Sequence, residues 1–251
     1  MANEQYKALE QEMETVLEKI FEAGTELYED RGFKRRVGYG TRPAVIHIDM
    51  ANAWTRPGHS FSCENMDTII PACQDLNAAA RAKGVPVIFI TTAYDVLDDN
   101  LASDMGLWGQ KIPLETLDAS TGAADIDSRI APLEGELVIK KKRASAFPGT
   151  NLNQFLTANR IDTLIVTGVT ATACVRHTVE DAVAEGFRPI VVKEAVGDRV
   201  PGVVAYNLFD MDSKFGDVES LESVVDYLNE LPNFEDTIPT TSLPAKQHVS
   251  S

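Results

Sequence analysis

The sequence contains no apolar run near the roughly 20 residues that a membrane helix needs, so a spanning segment is excluded. It has only three cysteines, an odd and sparse set that offers no disulfide framework. Its four histidines, His47, His59, His177 and His248, show no metal-ligand spacing, and neither a metal nor another cofactor is expected. Basic side chains are outnumbered 23 to 38, a net charge of −15, which argues against nucleic acid or an anionic membrane as partner. The opening stretch MANEQYKALEQE is polar and lacks the apolar core of a signal peptide. With the sparse cysteines, this reads as a reduced, cytoplasmic protein. What is present is 251 residues, 44% of them hydrophobic, enough for one large α/β domain or two small ones.

Residues 8–28 carry an apolar stripe (Leu9, Met13, Val16, Leu17, Ile20, Phe21, Leu27, Tyr28) at helical spacing. This helix precedes the first strand and is an arm. Its stripe packs either on its own domain or on a second subunit. A Gly- and Arg-rich connector, 31–43, follows. Strands are expected at 44–49, 87–90, 136–140, 164–166 and 189–192, with helices at 65–83, 151–159, after Cys174, and at 218–231. The insertion 93–123 is long enough to cover a site. We divide the chain into an arm (1–36), a main domain (37–232) and a loosely ordered tail (233–251). Strands alternating with helices imply an α/β fold: three layers, α/β/α, around a mostly parallel sheet.

Ligands of such sheets bind at the C-terminal strand ends. Asp49 ends the first strand, Lys140 the third, and Cys174 follows the fourth. The run Leu164-Ile165-Val166 is broken by Gly168, then by the small residues Thr170 to Ala173. Cys174 is thus set where a strand turns into a helix, beside free N–H groups and the positive end of the helix dipole. A cation there favours the thiolate, and a carboxylate takes the proton. Cys63 and Cys73 read as small buried hydrophobes. Lys141, Lys142 and Arg143 follow Lys140, and alternation puts Lys141 on the opposite face from Lys140 and Lys142. Lys140 is preferred because it directly continues the strand. His177, one helical turn beyond Cys174, is set aside as a base because the turn is short for proton transfer. His47 reads as a packed core histidine.

The motifs DMANAW (Asp49–Trp54) and GVTATACV (Gly168–Val175) resemble those of the isochorismatase-like cysteine hydrolases across about Ala44–Leu231. That resemblance implies an Asp–Lys–Cys triad (Asp49, Lys140, Cys174), a cis Val169–Thr170 peptide, and an oxyanion hole formed by the Thr170 and Cys174 amides. Arg199, in GDRVPG, resembles an arginine that holds a substrate carboxylate. Thr170 adds its hydroxyl, and Asn52, Trp54 and Trp108 wall the pocket. The stretch TTAYDV, 91–96, lacks the histidine of the zinc-binding branch. The likeness extends through the arm (EAGTELYEDRGFKRRVGYG) and loops to the branch that cleaves N-carbamoylsarcosine. It implies release of sarcosine, carbon dioxide and ammonia through a thioester, a place in creatinine degradation, and a homotetramer. An amidase for maleamate, biuret or another N-carbamoyl amino acid, and a non-catalytic binding module, stay open as alternatives.

Overall fold

The computed structural model describes residues 2–95, 105–200 and 202–237. Six strands, β1 (Pro43–Ile48), β2 (Val87–Thr92), β3 (Leu137–Lys141), β4 (Thr163–Val169), β5 (Arg188–Gly197) and β6 (Asp217–Glu219), form one parallel sheet in the order β3-β2-β1-β4-β5-β6. β1, β2 and β4 are buried along their whole length, as near-continuous apolar strands covered on both faces must be. Helix α2 (Asn52–Thr55) follows β1, and α3 (Met66–Ala82) packs over β1, β2 and β5. Helices α4 (Leu152–Ala158), α5 (Arg176–Ala184), α6 (Val203–Lys214) and α7 (Leu221–Glu230) complete the two outer layers. The expected three-layer α/β/α fold is what the chain adopts.

The arm helix α1 runs Ala2–Asp30. It meets its own domain along α6: Phe21 stacks on Phe209 with centroids 4.7 Å apart, and Gly24 passes so close to that ring that a Cβ would lie 2.9 Å from it. Leu9, Val16, Ile20 and Leu27, spaced seven, four and seven residues apart, share the adjoining face and stay exposed. One face of the stripe therefore packs on its own domain and the other does not. The connector is fastened by carboxylates: Lys34 and Arg36 pair with Asp212, and Asp217 accepts the Val37 and Gly38 N–H groups.

Three expectations change. Residues 217–219 are strand β6, so the closing helix starts only after Ser220, whose hydroxyl caps it by accepting the Ser223 N–H. α6 had no apolar signature because two of its buried residues, Asp210 and Ser213, are polar. The proposed tail is ordered at its start: Phe234 is buried and lies under the Arg42 guanidinium, 4.0 Å from the ring centroid. Residues 238–251 lie outside the described residues.

Two strand ends are shaped for the site. The register slips between Val166 and Gly168, and Gly168 has φ +108° against β1, where a Cβ would sit 2.1 Å from the Ile48 carbonyl. Only glycine fits there. Asp49 has φ +50°, a left-handed conformation costing roughly 1–2 kcal/mol in a non-glycine residue. Its N–H is fixed to the Ile90 carbonyl at 2.8 Å. Strain held this way collects at functional sites.

Candidate active site

Four strand ends meet above the middle of the sheet. β2 lies between β3 and β1, and its last residue, Thr92, stands in register with Lys141 of β3. Lys141 Nζ is 2.9 Å from Asp49 Oδ2, with both side chains fully buried. It also donates to Thr92 Oγ1 at 2.6 Å, to the Arg143 carbonyl at 3.1 Å and to Cys174 Sγ at 3.3 Å. Thr92 in turn donates to Asp49 Oδ1 at 3.0 Å. Asp49 thus faces both the Lys141 ammonium and the Cys174 thiol, where its carboxylate can take the thiol proton.

The lysine in contact with the cysteine is Lys141, not the expected Lys140. β3 is an edge strand: Ile139 and Lys141 face inward, and Val138 and Lys140 face solvent. Alternation separates the two lysines as expected, but the inward face is the other one.

Electrostatics also correct the expectation of a standing thiolate. Burial, and then the Asp49 charge, push the Cys174 thiol up to about 12 against the opposing pull of Lys141. Burial works against the Lys141 ammonium, but Asp49 and the sulfur outweigh it and hold its pKa above that of an ordinary lysine. At neutral pH the cysteine is therefore a thiol and the lysine an ammonium. Attack by sulfur then requires its proton to move to Asp49 as the bond forms.

Cys174 sits in a single wide π-type turn, Ala171–Val175, that leads from β4 into α5. The Val169–Thr170 peptide is cis. The Thr170 carbonyl accepts the N–H groups of Ala173 and Val175, both at 3.1 Å. His177 is exposed and bonds the Ala173 carbonyl at 2.7 Å, turned away from the sulfur. His47 is buried between Thr167 and Asn77, 2.6 Å from each, and burial lowers its pKa to about 4. Cys63 and Cys73 are free thiols that burial also raises to about 12.

The sulfur opens into a cavity of about 290 Å³. Trp54, Phe61, Trp108 and Leu114 supply apolar wall, and Thr92, Thr170 and Arg199 supply polar atoms. Trp108, Ile112, Pro113, Leu114 and Leu117 come from the described part of the 93–123 insertion, which therefore lines the site. Residues 96–104 lie outside the described residues. Arg199 donates from Nη2 to the Phe61 carbonyl at 3.1 Å and stands 5.3 Å from the Phe61 ring centroid. Its Nη1 stands 4.0 Å from the Asp198 carboxylate, a loose pairing, and Arg199 lines the cavity.

Asn52 is not on this wall. Its Nδ2 donates to the Gly122 carbonyl at 3.0 Å, and it lines a separate shallow depression with Arg56 and His59. Trp54 is two residues on, about 200° around a helix, so Trp54 enters the cavity and Asn52 faces away. Thr92, Thr172 and Asp198 were not anticipated at the site. The strand-end rule that found Asp49 applies equally to Thr92, whereas Asp198 acts through a tertiary contact.

Among the described residues no cluster of His, Cys, Asp or Glu has the makings of a metal site. No described helix is long and apolar enough to cross a membrane.

The family model described as "Isochorismatase domain" matches residues 43–223. N-carbamoylsarcosine amidase of an Arthrobacter species is 65% identical over 237 residues, 94% of this chain and 90% of that protein. Maleamate amidohydrolase of Pseudomonas putida is 34% identical, over 78% of this chain and 92% of that protein. Among solved structures, N-carbamoylsarcosine amidase from Thermoplasma acidophilum superposes with TM-score 0.59 at 26% identity, covering 72% of this chain and 97% of that one. An isochorismatase family protein from Desulfovibrio vulgaris gives TM-score 0.64 at 30% identity, covering 75% and 99%.

Proposed function

The chain belongs to the isochorismatase family, and from its site we propose that it is a cysteine amidohydrolase that cleaves the carbamoyl C–N bond of N-carbamoylsarcosine. The observation that carries this reading is the buried contact of Asp49, Lys141 and Cys174 at the floor of a cavity that also holds Arg199. The 65% identity with the Arthrobacter amidase supports the choice of substrate.

In this mechanism the Arg199 guanidinium receives the substrate carboxylate, for which its planar fork is suited. The N-methyl group lies against the apolar wall. Asp49 takes the Cys174 proton while sulfur attacks the carbamoyl carbon. Lys141 steadies both the carboxylate and the emerging sulfur charge. The oxyanion rests on the Thr170 and Cys174 amides. Asp49 returns the proton to the departing nitrogen and ammonia leaves, with the rest of the substrate held as a thioester. Water, losing its proton to Asp49, cleaves that bond. The freed N-carboxysarcosine then divides into carbon dioxide and sarcosine, and the thiol is restored.

The exposed stripe Leu9, Val16, Ile20 and Leu27 supports self-association, which we assign as a homotetramer. A nucleophile that must stay a reduced thiol fits a cytoplasmic setting. No cofactor enters the scheme.

The test is ammonia release from N-carbamoylsarcosine, maleamate, biuret and N-carbamoylglycine. We expect the highest kcat/KM with N-carbamoylsarcosine. A higher value with maleamate would move the chain to the activity named for its Pseudomonas relative. No ammonia from any of them would leave only the non-catalytic module.

A further inference from the structure

The Asp198 carboxylate takes no part in the chemistry above, yet it is buried and bonds two residues that line the cavity, Thr172 and Arg199. Its Oδ2 accepts the Thr172 N–H at 3.1 Å and the Thr172 hydroxyl at 2.8 Å. Its Oδ1 accepts the Arg199 N–H at 2.7 Å. Its own carbonyl accepts the Glu64 N–H at 3.1 Å. Three loops therefore meet on this residue. Thr172 belongs to the turn that carries Cys174, Arg199 to the loop after β5, and Glu64 to the loop that brings Phe61 beneath Arg199. The carboxylate bonds the main chain of Arg199 at 2.7 Å, and the Arg199 guanidinium stands farther off, at 4.0 Å.

An N-carbamoyl amino acid must be met at both ends at once. Its carbamoyl carbon belongs at sulfur and its carboxylate at the guanidinium. Two holders on separate loops do this only if their spacing is fixed, and errors of an ångström are costly. Building on the amidase reading, we propose that Asp198 is a positioning residue that sets the separation between Cys174 and Arg199 and so gives the site its preference for carboxylated substrates.

Asp198→Asn keeps the shape but replaces one acceptor oxygen with an NH2 donor, so either the Thr172 N–H or the Arg199 N–H loses its acceptor. Thr172→Val removes one of the three side-chain bonds and tests the same clamp more mildly. The readout is the ratio of kcat/KM for N-carbamoylsarcosine to that for 1,1-dimethylurea, which presents the carbamoyl group without a carboxylate. The ratio should fall roughly 10- to 100-fold in Asp198→Asn, and less, in the same direction, in Thr172→Val. If Asp198 acted only through its charge, removing an anion beside an anionic substrate would raise the ratio. If it served only the fold, both substrates would lose equally and the ratio would stand still. Either result overturns the proposal. Amide hydrogen exchange judges the clamp without turnover: at least one of the Thr172 and Arg199 N–H groups should exchange faster in Asp198→Asn, and unchanged exchange at both refutes it. A wild-type chain that releases no ammonia would end the amidase reading, and exchange would then decide the clamp alone.

Discussion

Replacing Lys141 with methionine isolates the central electrostatic contact. The ammonium donates to Thr92, to the Arg143 carbonyl and to Cys174, and pairs with Asp49 where neither side chain reaches solvent. Its removal strands a carboxylate in a low-dielectric interior. Breaking a buried pair by deleting one partner costs about 3–5 kcal/mol. Domains of this kind are stable by only about 5–15 kcal/mol, so the variant should fold but unfold at distinctly lower urea. Lys140→Met, on the exposed face of the same strand, should stay within about 0.5 kcal/mol of wild type. The double variant Asp49→Asn, Lys141→Met removes the stranded charge and should regain much of the stability with none of the turnover. Ammonia release should drop by roughly 100-fold or more in Lys141→Met, as when a charge-stabilising donor is lost, and should be unaffected in Lys140→Met. Urea unfolding and initial rates on the same preparations read both effects. Wild-type stability and rate in Lys141→Met, or a collapse in Lys140→Met, would refute the assignment.

Asp49→Asn removes the carboxylate whose charge helps hold the Cys174 thiol up near 12. The thiolate absorbance near 240 nm should therefore appear at lower pH than in wild type while turnover is lost; an unmoved or raised titration would contradict the pairing. His47 is held near 4 by burial, below its unfolded value of about 6.5, so it favours the folded state fully above that value. Stability should fall as pH drops from about 6.5 toward 4, by roughly 3 kcal/mol, and that slope should vanish in His47→Gln if urea unfolding is followed across the range. Arg199→Ala should raise KM for N-carbamoylsarcosine by roughly 10- to 100-fold, the worth of charged hydrogen bonds, and leave 1,1-dimethylurea nearly unaffected. Equal effects on both substrates would remove Arg199 from carboxylate binding.

The parts legible in the sequence are those where burial leaves a one-dimensional signal. β1, β2 and β4 are covered on both faces and read as apolar runs; the small residues before Cys174 mark a tight strand-to-helix turn. β3 is harder. Val138 and Ile139 are both apolar and adjacent, so the pattern does not say which faces the core, and the choice between Lys140 and Lys141 follows from that one bit. β6 is too short to display a period, and α6 buries polar residues that are paired, as Asp210 is with Arg176 of α5 and with Lys214 one turn on. Type and position suggest Asn52 as a pocket wall, but two residues along α2 are enough to turn it to the far side from Trp54. The protonation state of Cys174 depends on burial beside an anion, which no motif encodes.

Rapid quenching of wild-type enzyme during turnover of N-carbamoylsarcosine, followed by peptide mass mapping, reads the nucleophile directly. We expect a transient adduct equal to substrate less ammonia on the peptide that carries Cys174, and none on those carrying Cys63 or Cys73. Sustained ammonia release with Cys174 unmodified at every time point, and undiminished in Cys174→Ala, would contradict it.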